Sequence, residues 1–186
     1  LEKLFLKYDL KGVDIFLNEV NGGSVRLFIK HKDQKISDEA KNRIKKIQND
    51  EDKLGLDTEK PYIEFYNRCE ELKEKTTSFI KNEIKKGKKI FAYGASTKGN
   101  TLLQFYGLDN KEIEKVADRN FDKWGRKTVG TEIQIVSEEQ ARKDRPDYFL
   151  ILPWHFLNEF IDREKEFLKN GGQFIVPLPE FRIIKG

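Results

Sequence analysis

The sequence predicts an α/β fold: a three-layer sandwich with a mostly parallel sheet, preceded by a hairpin and a long helix. Short apolar runs at 90–93 and 147–152 are typical of buried strands. Amphipathic segments with helical spacing alternate with these runs, and a glycine-containing loop joins the first run to the next helix. Strands that alternate with helices in this way imply a parallel sheet covered on both faces.

The composition limits the classes of function that the chain can perform. Hydrophobic residues make up 37% of the 186 residues and charged residues another 37%, with a net charge of +4. This charge is too small and too evenly mixed to indicate nucleic-acid binding, although it suits an anionic small molecule. No apolar run is long enough to span a membrane, and no signal peptide is apparent. The single Cys69 excludes an internal disulfide and a cysteine-based zinc site, so we expect a cytoplasmic protein.

The N-terminal region is predicted to be a hairpin preceded by helical residues. Apolar side chains recur at helical spacing from Leu1 to Tyr8. Residues 13–20 and 25–29 have the pattern of strands on either side of a sharp turn at Asn21. Because a free hairpin is marginal in water, it requires another partner. The chain lacks methionine and begins within an amphipathic pattern, so we expect it to be a piece of a longer protein.

Two helices are predicted after the hairpin. Residues 32–60 are rich in charge and indicate a short helix followed by a loop over 50–60, which is the expected domain boundary. Residues 61–86 carry a continuous apolar stripe between Pro61 and Gly87, which predicts a long helix. The predicted organisation is a hairpin over 1–30, a charged connector over 31–60 and a Rossmann-like domain over 61–186.

The rest of the chain alternates strands with helices. A strand over 113–117 ends at Asp118 and leads into a long loop over 119–132, of the kind that often forms a lid or binding segment. The remaining predictions are a strand over 133–136, a helix from Ser137, a strand over 147–152, a helix over 157–168, a strand over 174–176 and a short tail over 182–184.

The stretch from Lys88 to Gly107 is the centre of the predicted domain. A strand, a loop from Gly94 to Gly99 and a helix form the first half of a βαβ unit. Such a loop brings backbone N–H groups and the positive end of a helix dipole to one point, which favours a phosphate or carboxylate. Four polar side chains would help to hold a bound anion: Ser96, Lys98, Asn100 and Thr101.

Two familiar phosphate-binding loops do not fit this stretch. Asn100 stands where the P-loop has its lysine, so the point charge on the β- and γ-phosphates is missing. Ser96 occupies the second glycine position of the dinucleotide fingerprint, where a side chain hinders the approach of a pyrophosphate. A further interpretation is that Gly94 and Gly99 merely permit a tight strand-to-helix turn.

Ligands of parallel sheets bind outside the carboxyl ends of the strands. Asp118 is expected at that edge, either as an acceptor for a ribose hydroxyl or as a cap for the next turn. Lys123 would supply charge there, and Trp154 is delivered to the same edge. We expect His155 to cap its helix or contact a ligand rather than act as a base. No metal site is expected, because the other histidine, His31, lies in the charged connector.

Four segments together resemble one known family. They are NGGSVR at 21–26, YGASTKGNTLL at 93–103, DRNFDKWGRKTVGTEIQI at 118–135 and LILPWHFLNEF at 150–160, in that order along the chain. The series is similar to the C-terminal domain of S-adenosylmethionine-dependent C-methyltransferases that act on nucleotide-linked deoxysugars. The resemblance covers nearly the whole chain.

This resemblance implies a larger enzyme with an upstream zinc-binding part and a middle domain that binds S-adenosylmethionine. The hairpin would be the tail of that middle domain, and the C-terminal domain would bind the nucleoside diphosphate sugar. The catalytic residues would lie upstream, so the chain alone is predicted to transfer no methyl group. The glycine-loop residues that the resemblance assigns to substrate are Gly94, Ala95, Ser96, Lys98, Gly99, Asn100 and Thr101.

The sequence also departs from the family pattern. Asn21 replaces a histidine, and His155 stands where the family usually has asparagine. Phe121, Val129 and Gln134 replace prolines. These departures leave open the particular sugar and the binding mode of the loop over 118–135. Two other interpretations of the whole chain also remain: a stand-alone Rossmann module that binds NAD(P) or coenzyme A, and a structural or dimerising domain with no ligand.

Overall fold

The first unit of the chain, residues 1–66 of the computed structural model, contains the predicted hairpin. The structure describes residues 1–20 and 22–186, so the departure at Asn21 lies outside the described residues. Helix α1 (Glu2–Leu6) precedes strand β1 (Leu10–Asn18), which pairs antiparallel with β2 (Ser24–His31). The hairpin is confirmed, and both of its strands are longer than predicted.

Helix α2 (Asp38–Leu54) follows the hairpin. It begins where the Ser37 hydroxyl accepts a hydrogen bond from the Ala40 amide at 3.3 Å. It ends at Gly55, whose φ of +65° places it in the left-handed conformation typical of a helix C-cap. The helix is therefore longer than predicted, and the loop expected over 50–60 begins only at this glycine.

The second unit spans residues 67–186 and has the alternating strand and helix order that the sequence predicts. Helix α3 (Lys60–Lys85) begins in the first unit and continues into the second. The elements after it are β3 (Ile90–Tyr93), α4 (Thr97–Tyr106), β4 (Lys115–Ala117), β5 (Gln134–Val136), α5 (Glu138–Lys143), β6 (Tyr148–Ile151), α6 (Leu157–Arg163), α7 (Lys165–Lys169), β7 (Gln173–Val176) and β8 (Arg182–Lys185).

The sheet of the second unit has six strands in the order β5-β4-β3-β6-β7-β8. Neighbouring strands from β5 to β7 are parallel, and only β8 runs antiparallel to its neighbour. Ala92 of the central strand β3 lies opposite Val116 on one side and Leu150 on the other. The predicted α/β fold with a mostly parallel sheet is confirmed.

Alternate residues of the buried strands face opposite layers of helices. Ala92 packs in one cluster with Leu103 of α4 and Ile80 of α3. Phe91 packs in the other cluster with Phe160 of α6 and residues of α5 and α7. Because both faces of β3 are covered, its four side chains are all buried, as expected for a central parallel strand.

Two details differ from the sequence predictions. The helix predicted over 157–168 is divided into α6 and α7 at Glu164, a side chain that is 1% exposed because it turns into the core. The predicted tail at 182–184 is the edge strand β8, because Ile183 and Ile184 pair with Ile175 and Phe174 of β7. Within the described residues, no helix is both long and apolar enough to cross a lipid bilayer.

Candidate functional site

The strand order places a crevice at the carboxyl ends of β3 and β6. The chain leaves β3 through α4 toward β4 and β5, whereas it leaves β6 toward β7 on the other side. Adjacent strands whose connections run in opposite directions form a topological switch point, which is where open α/β sheets bind ligands. The loop at Gly94–Ser96 and the segment Pro153–His155 lie at this point.

Gly94 allows the loop to pass close to the neighbouring strand. Its φ is +89°, and a Cβ atom built on it would lie 2.6 Å from Cγ of Pro153. Its own amide donates to the carbonyl of Ala117 at 2.7 Å, which continues the pairing of β3 with β4. A side chain at this position would collide with Pro153, so the turn at the crevice requires glycine here.

Gly99 brings the first turn of α4 against the end of β6. A Cβ atom on this residue would lie 2.9 Å from Cβ of Leu152 and 3.2 Å from the carbonyl oxygen of Gly94. The helix therefore starts as close to the strand ends as its backbone permits. Both glycines hold the amino end of α4 at the switch point.

Ser96 is the N-cap of α4. Its hydroxyl accepts a hydrogen bond from the Gly99 amide at 3.0 Å, and the helix continues for ten residues. The amino end of such a helix carries a partial positive charge from its aligned peptide dipoles. An anion placed there would meet the exposed Lys98 in the first turn of the helix.

Asp118 connects the glycine loop to the loop that follows β4. One carboxylate oxygen accepts from the Ala95 amide at 2.8 Å and the other accepts from the Asn120 amide at 2.8 Å. The Lys123 ammonium donates to the Ala95 carbonyl at 2.8 Å and to the Asp118 carboxylate at 3.1 Å. Trp124 also donates its indole N–H to the Asp118 carbonyl at 2.8 Å. Asp118 and Lys123 thus hold the loop in place.

His155 lies on the other side of the crevice. Burial, and secondarily the positive charge of Lys98, lower the pKa of its imidazole. Its ring packs against Phe156 with centroids 4.3 Å apart. Its Nδ1 atom is buried without a hydrogen-bond partner among the described residues, as is Oδ1 of Asn100 in α4. Nδ1 of His155 can accept or donate one further hydrogen bond, depending on the tautomer, and Oδ1 of Asn100 can accept one.

The last two predicted site residues lie at the margin of this group. Thr101 is exposed, and its hydroxyl donates to the carbonyl of Thr97 one turn earlier in α4 at 3.2 Å. Trp154 is half-buried, and its side chain packs against both core clusters. Its indole ring stands edge-on to His155 at a centroid distance of 5.9 Å. Trp154 therefore supports the histidine from the core side.

The crevice has the chemistry of a binding site for an anion. It combines a helix amino end, a lysine and a histidine whose pKa is lowered by burial. Across the described part of the chain, no group of three His, Cys, Asp or Glu side chains is placed to hold a metal ion. Sequence reasoning placed Pro153 at this edge but missed Leu152 and Phe156, which pack against Gly99 and His155 and carry no charge that a motif would show.

Two surface cavities lie elsewhere. One, of about 510 Å³, belongs to the first unit and is lined by Leu56, Tyr62, Ile63, Tyr66 and their polar neighbours. The other, of about 480 Å³, is lined by residues that include Arg142, Arg145 and Gly172. It lies near the amino ends of β6 and β7, at the opposite edge of the sheet from the crevice. Neither cavity includes a predicted site residue.

Comparison with known proteins agrees with the resemblance found in the sequence. Residues 19–179 match the family described as the C-methyltransferase C-terminal domain. The chain belongs to this family. It is also 38% identical over 181 residues to the C-methyltransferase NovU of Streptomyces niveus, a match that covers 97% of this chain and 43% of that protein. The chain thus spans less than half the length of this curated relative.

Proposed function

We propose that this chain is the nucleotide-sugar-binding domain of a larger S-adenosylmethionine-dependent C-methyltransferase that acts on a nucleotide-linked keto-deoxysugar. The diphosphate would lie at the amino end of α4, where the helix dipole and Lys98 favour negative charge. His155 and Asn100 would offer their remaining hydrogen-bond capacity to the substrate from either side.

The position of the α4 amino end is the observation that carries this proposal. Gly94 and Gly99 hold it at the switch point of the sheet, where two contacts leave no room for a Cβ atom. A loop that only turned the chain would not need to bring a helix end this close to a neighbouring strand. The placement favours a ligand with a phosphate group.

The methyl-transfer chemistry is assigned to the part of the enzyme outside these residues. The match to NovU leaves more than half of that protein without a counterpart in this chain. S-adenosylmethionine and zinc would be bound there, by upstream domains of the same polypeptide. We expect the 186-residue chain alone to consume no S-adenosylmethionine, and measurable turnover by it would contradict the proposal.

A stand-alone module for NAD(P) or coenzyme A is less well supported. That interpretation requires Asp118 as an acceptor for a ribose hydroxyl. Both of its carboxylate oxygens already accept hydrogen bonds from backbone amides, and one also faces the Lys123 ammonium. The carboxylate therefore stabilises the loop by capping backbone amides, which is the second of the two roles considered for Asp118.

A thermal-shift screen of the 186-residue chain tests the proposal. The ligands are dTDP, UDP, GDP, their sugars, NAD(P) and coenzyme A. A ligand present at one hundred times its Kd should stabilise the folded chain by about 2.7 kcal/mol. We expect stabilisation by one nucleoside diphosphate and its sugar. Stabilisation by NAD(P) but not by sugar nucleotides would support the stand-alone module and overturn the proposal. No shift with any ligand, together with no loss of sugar-nucleotide binding on Lys98→Ala in the full-length protein, would favour a structural domain and would also overturn it.

A further inference from the structure

The first unit buries little apolar surface. Within its described residues, the buried hydrophobic side chains are Val13 and Ala40. Large apolar side chains are instead exposed along α1 and the hairpin: Leu1, Leu4, Leu6, Tyr8, Phe16, Leu17, Val20, Val25, Phe28 and Ile29. A soluble unit with so small a core and so much exposed apolar surface is typical of a segment that packs on another part of a protein.

One face of the hairpin is aliphatic along most of its length, with His31 at the end farthest from the turn, opposite Leu10. Ile15 lies opposite Leu27, and Leu17 lies opposite Val25, so these four side chains project from the same side of the two strands. Ile29 follows Leu27 by two residues and joins the same face. Leu17 is 64% exposed, Val25 55% and Ile29 41%. We call this set of five residues the aliphatic face.

The opposite face already has a partner within the chain. Arg43 of α2 forms an ion pair with Asp14 at 2.7 Å, and its guanidinium lies 4.7 Å from the ring centroid of Phe16. Phe16 in turn meets Phe28 edge-on at a centroid distance of 6.0 Å. Helix α2 therefore contacts this polar and aromatic face, while three residues of the aliphatic face, Leu17, Val25 and Ile29, are exposed and the other two are half-buried.

The comparisons indicate what covers the aliphatic face. The C-terminal domain family begins at residue 19, immediately after β1 ends at Asn18. The match to NovU covers 97% of the chain and so includes most of the residues before that point, although it covers only 43% of NovU. Strand β1 thus lies outside the C-terminal domain family but inside the longer methyltransferase.

We propose that the aliphatic face is the surface on which the upstream part of the methyltransferase polypeptide packs. Strand β1 precedes the start of the C-terminal domain family, and β2 follows it. We therefore expect the exposed side chains of the aliphatic face to pack on the domain to which β1 belongs. An apolar face without charge suits the permanent contact of two domains in one chain. The proposal rests on the chain being part of a larger methyltransferase, but not on its binding a nucleotide sugar.

Thiol labelling can test this packing. Cys69 is first replaced by serine, so that an introduced cysteine is the only one in these 186 residues. Leu17→Cys reports on the aliphatic face, with Val25→Cys as a second reporter in case one variant folds poorly. Arg26→Cys is the matched control, because Arg26 is exposed and pairs with Phe16 on the opposite face. Labelling is followed by mass spectrometry at the introduced site, in the full-length protein and in the 186-residue chain.

We expect Leu17→Cys and Val25→Cys to react at least about tenfold more slowly in the full-length protein than in the 186-residue chain, since a packed face opens only rarely. The Arg26→Cys rate should change much less. Equal rates at position 17 in both proteins would overturn the proposal. Protection in the 186-residue chain that increases with its concentration would also overturn it, because a second copy would then cover the face. This experiment does not measure nucleotide binding. Its outcome is therefore independent of whether the proposed nucleotide-sugar site is correct, which the ligand screen tests.

Discussion

The carboxylate of Asp118 accepts a hydrogen bond from the backbone amide of Ala95 at 2.8 Å. This bond joins the loops that follow the adjacent strands β4 and β3. The second carboxylate oxygen accepts the amide of Asn120, also at 2.8 Å. Lys123 closes the arrangement by bonding to both the Ala95 carbonyl and the carboxylate. The glycine loop at the crevice is therefore held by side chains from a loop more than twenty residues later in the chain.

Asp118→Asn tests this arrangement. An amide has one acceptor oxygen, so the variant loses one of the two backbone hydrogen bonds and the ion pair with Lys123. We expect the free energy of unfolding to fall by about 1–3 kcal/mol in urea denaturation. The matched control is Asp109→Asn. Asp109 accepts a similar hydrogen bond of 2.8 Å from the Lys111 amide, and it lies outside the crevice. Equal effects of the two variants would contradict the role assigned to Asp118.

Ser96→Ala tests whether the N-cap of α4 contributes to ligand binding as well as to the stability of the fold. Ser96 and Ser137 each cap a helix through a 3.0 Å bond from an amide three residues later. Loss of either hydroxyl should lower the free energy of unfolding by about 1 kcal/mol. We expect only Ser96→Ala to weaken nucleoside diphosphate binding in calorimetric titrations. Weakening of the same size in Ser137→Ala would show that binding follows stability alone.

Gly99→Ala tests the close approach of α4 to β6. Alanine favours a helix over glycine by about 1 kcal/mol, so without a steric conflict the variant would be more stable. The added Cβ lies 2.9 Å from Cβ of Leu152, and overpacking of this kind costs about 1–3 kcal/mol. We expect a net loss in thermal denaturation together with weaker ligand binding. A more stable variant with unchanged binding would contradict the close packing described here.

Glu164 should give the fold a distinctive pH dependence. Its carboxylate accepts from the Tyr93 hydroxyl at 2.8 Å and from Arg142, and its pKa is raised, chiefly by burial. Because the folded state favours the protonated acid, this contribution to stability is present below the ordinary pKa of 4.5 and is lost as pH rises through the raised value. Relative to Glu164→Gln, the wild-type protein should therefore lose stability as pH increases above about 4.5.

Urea denaturation of both proteins at several pH values measures this difference. Glu139→Gln is the control, because Lys143 lowers the pKa of the exposed Glu139 through a hydrogen bond and its charge. The stability from Glu139 is present above its ordinary pKa and is lost as pH falls, so its variant should change in the opposite direction. A flat difference between wild type and Glu164→Gln across this range would show that the buried carboxylate does not titrate differently in the folded state.

Lys98→Ala tests the charge at the helix end. Removal of one charge-assisted contact to a phosphate should weaken nucleoside diphosphate binding about tenfold, which corresponds to 1.4 kcal/mol. The salt dependence of binding should fall as well, because one charged contact is lost. Lys169→Ala, an exposed lysine at the end of α7, is the matched control. Equal affinity of both variants for the nucleoside diphosphate would show that Lys98 does not contribute to binding.

The parts of the fold that the sequence predicts best are those with strong local signals. Strand β3 has the predicted bounds because a buried apolar run ends at a glycine. The division of α6 from α7 at Glu164 could not be predicted, since it depends on Tyr93 and Arg142, which lie 71 and 22 residues away in the sequence. Strand β8 was missed because a short tail becomes a strand only when it finds β7 as a neighbour.

The candidate site also combines features that the local sequence predicts with tertiary contacts that it does not. Glycine spacing and the order of strands predicted a helix end at the carboxyl edge of the sheet, because both follow from local chain geometry. The contacts of Asp118 and Lys123 with Ala95 are tertiary, so the sequence left the role of Asp118 open between two alternatives. The lowered pKa of His155 likewise comes from burial in the folded chain and from Lys98 beside it.

The most direct test of the proposed site is an NMR titration of the ¹⁵N-labelled 186-residue chain with the nucleoside diphosphate that stabilises it. The proposed binding mode predicts that the largest amide shifts occur at residues 94–101 and 154–156, and that they saturate together. Lys98→Ala should require a higher ligand concentration for the same shifts. Shifts confined to the cavity around Arg142 and Arg145, or no saturable shifts at any amide, would contradict binding at the amino end of α4.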